Sequence, residues 1–285
     1  LFLSTAAVPL WLTASHAVAA PAGGVVSAGT ATIAVNGNTT LIRQGTDRAA
    51  IDWQRFNVGA NEQVTFQQPS ASSITLNRIG DQDPSRILGN ITANGHVILS
   101  NPNGMLFGKN SRIDVAGLIA TTAGTGNDAF MRGGPLKLAI PGKPDAKIVA
   151  DGTITAKEAG LIAFLAPNVE NNGLIAAKLG KVQLAGAETA TLDLYGDGLL
   201  NLAVADAKHT SVTHTGTIQS AWVTLTAADV SRLIGSTVNV DGIIDSNDSR
   251  LNADGSLSFG GKIEATARDV TLESNARLRA TGKNG

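Results

Sequence analysis

The stretch GHVILSNPNGMLFGKNSRIDVAGLIATT, residues 95–122, places a tight turn between two short apolar runs. The turn is NPNG at residues 101–104, where the proline fixes its own φ and the next asparagine and glycine tolerate positive φ. Apolar residues dominate the run before the turn, residues 96–99, and the run after it, residues 105–107. Both runs are short and bounded by turn-forming residues, so the stretch predicts strands joined by a tight turn.

A related arrangement recurs along the chain, because a glycine followed by x-Ile, or by a close variant, begins several strand-like runs. These glycines are Gly95, Gly117, Gly152, Gly173, Gly216, Gly242 and Gly261. Their spacings are 22, 35, 21, 43, 26 and 19 residues, so several lie near 21 and one is close to twice that. Such a repeat predicts an all-β fold, the right-handed parallel β-helix, with roughly 11 coils and a length of about 50 Å. The alternative fold is an antiparallel β-sandwich.

Some segments are expected to depart from the regular coil. Gly29–Ile42 is the candidate N-terminal cap, which a β-helix needs because a bare terminal coil exposes strand edges. Thr121–Lys147 is dense in glycine and proline, so we expect an excursion from the coil, with a hairpin as one form of it. Asp245–Ser256 is expected to form a second hairpin or loop excursion. Ala159–Val169 is the most apolar later stretch and is expected to be a buried strand.

The composition excludes several classes of function. The 285 residues include no cysteine, which excludes disulfides, thiolate metal sites and cysteine nucleophiles. The net charge is −1, whereas a protein that binds nucleic acid normally carries a basic excess, so no nucleic-acid partner is expected. Aromatic residues make up 4% and hydrophobic residues 43% of the chain, which predicts a core of Val, Ile, Leu and Ala.

The first 19 residues are typical of an export signal. Leu1–Leu12 is an apolar core that is too short to span a bilayer, and Ala17-Val18-Ala19 fits a small-x-small cleavage site. The basic n-region is missing, because Arg43 is the first charged residue, so we expect the natural N-terminus to lie upstream. The alternative is that this segment is a buried apolar element.

Catalytic and metal-binding constellations are weak in this sequence. The turn Gly80–Arg86 carries two aspartates and an arginine, which a β-helical polysaccharide lyase or hydrolase could use, but a polar turn explains them more simply. His209 and His214 are five residues apart, which places them on opposite faces of a strand. Asp193–Gly198 lacks the spacing of a calcium loop. We therefore expect no catalytic residue, no metal and no cofactor.

Two of the tryptophans are candidates for core or cap positions. Trp53 and Trp222 each lie in a strand-like run, where an aromatic side chain more often packs than serves as a platform for sugars.

One block of motifs resembles a known family. Ala50–Thr122 resembles the N-terminal secretion domain of two-partner secretion exoproteins, the filamentous-haemagglutinin-type adhesins and their relatives. The motifs, in the family's order, are IDW at 51–53, FNVG at 56–59, LNRI at 76–79, ILGNITANGHV at 87–97 and NPNGMLFG at 101–108.

The resemblance implies a capped parallel β-helix over residues 20–285, continuing beyond residue 285 in a longer exoprotein. It also implies export to the periplasm by the inner-membrane machinery, through the signal peptide at residues 1–19. An outer-membrane transporter with periplasmic recognition domains would then carry the chain to the surface of a Gram-negative bacterium or into the medium. A ligand on a host-cell or bacterial surface is a further implied partner.

On the family pattern, the secretion motif is Asn101, Pro102, Asn103, Gly104 and Met105. The turn has two open interpretations: a structural element that starts the next coil in register, or a contact surface for the transporter.

The chain departs from the family pattern in two places. Many members have isoleucine where Met105 stands, a change of similar volume. Many also carry an earlier Asn-Pro-Asn-Leu motif, which is absent here, and Asn77-Arg78-Ile79 occupies roughly that region. These departures imply a different detail of partner recognition.

The sequence thus predicts the secretion domain of an adhesin- or haemagglutinin-like exoprotein, without enzyme activity of its own. One alternative is a β-helical carbohydrate-active enzyme. The other is the delivery end of a haemolysin or of a contact-dependent inhibition toxin.

Overall fold

The computed structural model describes residues 20–157, 159–192, 200–203, 209–227, 235–246, 249–251, 257–259 and 261–280. The expected signal segment 1–19 and the segment Asp193–Gly198 lie outside the described residues.

The described elements are strands and one short helix. They are β1 (Val25–Ala28), β2 (Ala31–Asn36), β3 (Thr39–Gln44), β4 (Arg48–Trp53), β5 (Gln63–Gln67), β6 (Ile74–Ile79), β7 (Ser85–Ile87), β8 (Asn90–Ala93), β9 (His96–Ser100), β10 (Gly104–Phe107), β11 (Arg112–Val115), β12 (Gly117–Thr121), α1 (Asn127–Arg132), β13 (Leu136–Leu138), β14 (Lys147–Ala150), β15 (Thr153–Ala156), β16 (Leu161–Ala166), β17 (Asn168–Asn171), β18 (Leu174–Gly186), β19 (Thr189–Leu192), β20 (Leu200–Ala203), β21 (His209–His214), β22 (Thr217–Ala227), β23 (Gly235–Val240), β24 (Ile243–Ser246), β25 (Ser249–Leu251), β26 (Leu257–Phe259), β27 (Lys262–Thr266), β28 (Asp269–Leu272) and β29 (Arg277–Ala280).

Three parallel ladders wind these strands into a β-helix, as the glycine spacing predicts. Face A is the ladder β3–β5–β8–β11–β15–β18–β22–β24–β29. Face B is the ladder β4–β6–β9–β12–β16–β18–β22–β27. Face C is the ladder β7–β10–β14–β17–β21–β23–β28. The long strands β18 and β22 turn a corner, so each contributes first to face A and then to face B.

The core contains columns of side chains stacked coil upon coil, and the column on face A is the most regular. On face A the inward column of six isoleucines is fully buried in parallel register: Ile91, Ile113, Ile154, Ile175, Ile218 and Ile244. β-branched side chains suit such a column, because they pack well on the pleated surface of a sheet.

Four of the recurring glycines stand directly before strands of face A and mark a corner where neighbouring coils touch closely: Gly152, Gly173, Gly216 and Gly242. Gly95, Gly117 and Gly261 stand instead at the start of strands of face B. A Cβ added to Gly173 would lie 2.1 Å from the carbonyl oxygen of Gly152, and one added to Gly216 would lie 2.1 Å from that of Gly173. Gly173 and Gly216 therefore sit on adjacent coils, and their 43-residue spacing is one coil plus an excursion. The expectation of roughly 11 coils was too high for this reason: within the described residues, face A has nine strands.

The excursions form a small sheet of their own. The expected excursion at Thr121–Lys147 is confirmed, but it contains α1 and β13 instead of a hairpin. β13 pairs antiparallel with β19, which pairs with β20, so two excursions meet in one three-stranded sheet. Residues 247–248 and 252–256 of the expected excursion at Asp245–Ser256 lie outside the described residues, but its described part, β25, pairs antiparallel with β26 outside the parallel ladders, which confirms a departure from the coil.

A second hydrophobic cluster lies where these excursions cover the outside of face B. Phe130, Leu136 and Leu192 pack there over Ile98, Ile119 and their neighbours. Strand β16, inside the apolar stretch Ala159–Val169, is therefore buried on both sides, as predicted.

The N-terminal cap is confirmed as two antiparallel strands. β2 pairs with β3 at the end of face A, and β1 pairs with β4 at the end of face B. They shield the edges of the first coil, which would otherwise be free to pair with other chains.

Candidate functional site

The predicted turn at residues 101–104 is present. The backbone N–H of Gly104 donates to the carbonyl of Asn101 at 3.0 Å, which closes a four-residue turn. The N–H of Asn103 donates to the side-chain oxygen of Asn101 at 2.9 Å, so the asparagine side chain reinforces the turn. Gly104 adopts φ of 100°, a conformation that other residues rarely take.

Asn101 is completely buried, and its polar groups are used inside the protein. Its side-chain amide donates to the carbonyl of Asp83 at 3.1 Å and to the hydroxyl of Ser85 at 2.9 Å. Its backbone N–H donates to Thr121 of the next coil at 3.0 Å. The first residue of the motif therefore joins the coil before it to the coil after it.

Asn103 makes a second link to the preceding coil. Its side-chain amide donates to the carbonyl of Asp81 at 2.7 Å. The turn Gly80–Arg86 is thus a docking segment for the motif. The carboxylate of Asp81 accepts the backbone N–H groups of Gln82 and Asp83, as in an ordinary polar turn. The prediction of a polar turn is confirmed.

The following segment closes over the other side of the motif. A Cβ added to Gly104 would lie 2.3 Å from the carbonyl oxygen of Lys147 in β14. The carbonyl of Pro102 accepts the backbone N–H of Lys143 at 2.9 Å. Met105 is buried in the core, in register with Ser85 and Ile148. Of the five predicted site residues, Pro102 is the one that solvent reaches freely.

A small pocket of about 160 Å³ opens beside Pro102. Its lining includes Ile79 on the coil, and Ile140 and Pro141 on the first excursion. Ile140 is 59% exposed, although it is large and apolar. The buried hydroxyl of Thr122 also lines the pocket and has no hydrogen-bond partner among the described residues.

In the segment Asn77-Arg78-Ile79, the first two residues make contacts that stabilise the fold. Asn77 is buried, and its side-chain oxygen accepts the indole N–H of Trp53 at 3.0 Å. Arg78 forms an ion pair with Asp52 at 2.6 Å and donates to the hydroxyl of Ser27 in β1 at 2.9 Å. Trp53 is a core residue, as predicted.

Trp222 is not in the core, which contradicts its expected position. It lies on the outside of face B, with the ammonium groups of Lys181 and Lys262 4.9 and 4.6 Å from its ring centroid. Its indole N–H donates to Glu264 at 3.2 Å. Cation–π contacts with the coils above and below account for an aromatic side chain at this outer position.

The two histidines of β21 lie on opposite sides of the strand, as predicted. His209 is exposed, whereas His214 is buried between the side chain of Asn171 at 3.0 Å and the carbonyl of Ile243 at 3.1 Å. Burial lowers the pKa of His214, because the charged imidazolium would lose its hydration. Within the described ranges, no group of three or more His, Asp or Glu side chains could hold a metal ion.

A buried polar cluster around Gln68 was not predicted from the sequence. The side-chain amide of Gln68 donates to the carbonyls of Ser73 and His96 and to the hydroxyl of Thr75, at 3.0–3.1 Å. Its oxygen accepts the N–H of Gly95 at 2.9 Å. In the sequence, Gln68 stands directly before Pro-Ser, a pattern typical of an exposed turn. The pattern therefore did not predict that its side chain is buried and hydrogen-bonded.

The α-helix found in the described part of the chain is too short and too polar to cross a membrane.

Comparisons with known proteins place this geometry in a family. The model of the TPS secretion domain matches residues 17–273. A heme/hemopexin-binding protein of Haemophilus influenzae is 36% identical over 218 residues, which make up 73% of this chain and 23% of that protein. A second protein of that name from Haemophilus influenzae is 46% identical over 81 residues, or 28% of this chain and 9% of the relative. The matches thus span less than a quarter of the length of these relatives.

Among solved structures, the HMW1 secretion domain from Haemophilus influenzae matches with a TM-score of 0.63 at 25% identity. The match covers 90% of this chain and 73% of that one. TPS exoproteins are secreted or surface-associated proteins of Gram-negative bacteria that pass through the periplasm, and a TPS domain implies an outer-membrane transporter as partner. The family is one of secretion domains, not of enzymes. The chain therefore belongs to the TPS family of secretion domains.

Proposed function

We propose that this chain is the secretion module of an adhesin-like exoprotein, which periplasmic domains of its transporter recognise. The inner-membrane export machinery would deliver it through the signal peptide at residues 1–19. The module would then fold as a β-helix at the cell surface and perform no catalysis itself.

The observation that carries this proposal is the set of contacts around the motif at residues 101–104. The motif touches the turn at residues 80–86 of the preceding coil, Thr121 of the next coil, and Lys143 at the end of the first excursion. It can reach its final conformation only when these segments are in place. The geometry therefore supports a role for the motif in setting the register of successive coils.

Folding coil by coil also supplies a driving force for secretion. At a net stability of roughly 0.1 kcal/mol per residue, a coil of about 21 residues contributes about 2 kcal/mol. Each coil completed outside the cell would oppose return of the chain by about thirtyfold, because about 1.4 kcal/mol is a factor of ten. The stack of similar coils suits such stepwise folding.

The burial of Asn101 limits the stage of folding at which the transporter could contact this residue. Its side-chain amide and backbone N–H are all paired inside the folded domain. A transporter domain that contacts Asn101 directly must therefore act on the unfolded chain, where strand addition to a sheet edge is the natural mode. On the folded domain, Pro102 and the pocket beside Ile140 are the surface available near the motif.

The proposal is tested by secretion. The full-length chain with a complete signal peptide is expressed with and without the transporter encoded beside it, and the medium is assayed for the protein. Release only in the presence of the transporter is the expected result. Release that does not depend on the transporter would overturn the proposal.

A second candidate concerns the rest of the exoprotein. Both curated relatives described above are heme/hemopexin-binding proteins, so we propose that the full exoprotein binds a heme carrier. A pull-down with immobilised hemopexin tests this proposal, comparing the whole exoprotein with residues 20–285. We expect immobilised hemopexin to retain the whole exoprotein, and failure to retain it would exclude hemopexin as its ligand.

A further inference from the structure

An open groove runs along the outside of face A. Its floor is a column of short side chains in parallel register across five strands: Thr65, Thr92, Asp114, Thr155 and Ala176. Two adjoining depressions of about 450 and 660 Å³ form the groove, and both are lined by Asp114 and Lys157. Four steps between strands, at about 4.8 Å each, give the groove a length of about 19 Å, which suits a segment of a polymer better than a small molecule.

The described lining residues of the groove carry a positive balance of charge. Lys157 directly follows Ala156 and Lys178 directly follows Ala177, and these two alanines are paired in β15 and β18, so the two lysines belong to successive coils on the same side of the groove. Asp114 is the carboxylate that faces them among the described lining residues. Within the described part of the chain, none of these three side chains forms an ion pair. Two cations against one anion favour an acidic occupant.

The chemistry of the floor limits what the occupant can be. The backbone N–H and C=O groups of these strands are already used in the parallel ladder of face A, so they cannot pair with an added peptide strand. Recognition must therefore come from side chains. The hydroxyl of Thr155 and the carboxylate of Asp114 have no hydrogen-bond partner among the described residues, and the half-buried Ala176 and the methyl groups of the floor threonines supply the apolar part.

This combination fits a sugar polymer. Hydroxyl, carboxylate and ammonium groups pair with the many hydroxyls of a polysaccharide, and small methyl groups accept the C–H faces of its rings. We propose that the groove on face A binds an acidic polysaccharide of the uronic-acid type, lying along the axis of the β-helix. This site lies on a different face from the motif at residues 101–104 and does not depend on the proposed function in secretion.

The test uses the purified full chain and polygalacturonate as the probe, with binding measured by calorimetry. Neutral dextran and poly-glutamate serve as comparison polymers. The double variant Lys157→Gln/Lys178→Gln removes the two groove cations. Lys109→Gln/Lys137→Gln is the matched control, since it removes the same charge from exposed positions that do not line the groove. All four lysines are exposed, and circular dichroism checks that both variants fold.

We expect polygalacturonate to bind the unmodified chain and dextran to bind more weakly. The groove variant should lose about fivefold or more in affinity, the control variant should lose little, and added salt should weaken binding. Absence of polygalacturonate binding would overturn the proposal, as would an equal loss in both variants. Equal binding of poly-glutamate, with the same loss in the groove variant, would also overturn it, because the groove would then select charge and not sugar.

Discussion

Asn101 donates its side-chain amide to the backbone carbonyl of Asp83, which lies eighteen residues earlier in the chain, at a distance of 3.1 Å. The same amide group donates to Ser85 at 2.9 Å. The bond to Ser85 is buried and the bond to Asp83 is partly buried, and together they tie the beginning of one coil to the turn of the coil before it. A side chain that is needed for this link is needed for folding, whatever else the transporter requires of it.

Replacing Asn101 with alanine should therefore destabilise the domain. Asn101→Ala leaves the carbonyl of Asp83 and the hydroxyl of Ser85 without their buried partner, which costs about 2–3 kcal/mol. The free energy of unfolding in urea measures the loss. Asn110→Ala is the control, because Asn110 is exposed in the next turn and should change stability by less than about 0.5 kcal/mol. Equal effects of the two changes would contradict the structural role of Asn101.

Replacing Gly104 of the motif should also destabilise the domain. Gly104→Ala combines a backbone at φ of 100° with a contact of 2.3 Å to the carbonyl oxygen of Lys147. Gly134→Ala is the matched control, since Gly134 has φ of 73° but open space around it. The control should lose about 1–2 kcal/mol from the backbone conformation alone. A larger loss for Gly104→Ala in urea unfolding would measure the steric part, and an equal loss would show that β14 can move away.

The sequence was most informative where the coil repeats locally. The glycines Gly173 and Gly216 recur because the backbone of the next coil leaves no room for a side chain, and that constraint is visible as a spacing. The spacing could not distinguish one coil with an excursion from two coils. That distinction depends on the pairing of β13 with β19, which lie far apart in the chain and share no local pattern.

The features of the candidate site were likewise predictable only where they depend on neighbouring residues in the sequence. The turn at residues 101–104 follows from its own residue types, but the docking of Asn101 on Asp83 depends on the register between coils. The outer position of Trp222 likewise depends on which lysines the adjacent coils place above and below it. Register is set by the whole stack, so these contacts were not predictable from a short stretch of sequence.

Stability should fall as the pH drops below about 6.5. Burial lowers the pKa of both His96 and His214 in the folded state below the ordinary value of 6.5. Below 6.5 the unfolded chain takes up protons that the folded protein does not, so unfolding is favoured by up to about 1.4 kcal/mol per pH unit for each histidine. Above that pH this contribution to stability is fully present.

Urea unfolding at several pH values measures this dependence. Below pH 6.5, the double variant His96→Gln/His214→Gln should show a smaller change of the free energy of unfolding with pH than the unmodified chain. His209→Gln is the control, because His209 is exposed on the opposite side of β21 and should leave the slope in place. An unchanged slope in the double variant would show that other groups dominate.

The first excursion should unfold separately from the coil. Phe130 is fully buried in α1, and its carbonyl accepts a hydrogen bond from the Arg48 guanidinium at 2.7 Å. Phe130→Ala should cost about 3–5 kcal/mol locally, and the exposed Ile140→Ala should cost much less. Limited proteolysis should then cut within residues 121–147 while the β-helix stays intact. Loss of the whole fold would show that the excursion and the coil unfold together.

Secretion of two variants should show whether the motif acts through folding or through contact with the transporter. Pro102 is exposed, and its carbonyl can still accept the N–H of Lys143 after Pro102→Ala, so this variant should keep the fold. If the motif acts through folding, Pro102→Ala should be secreted like the unmodified chain, and Asn101→Ala should accumulate in the periplasm in proportion to its loss of stability. Secretion assays with the transporter present, combined with circular dichroism of each purified variant, compare the two. A folded Pro102→Ala protein that stays in the periplasm would contradict this expectation, because recognition would then depend on the exposed surface of the turn.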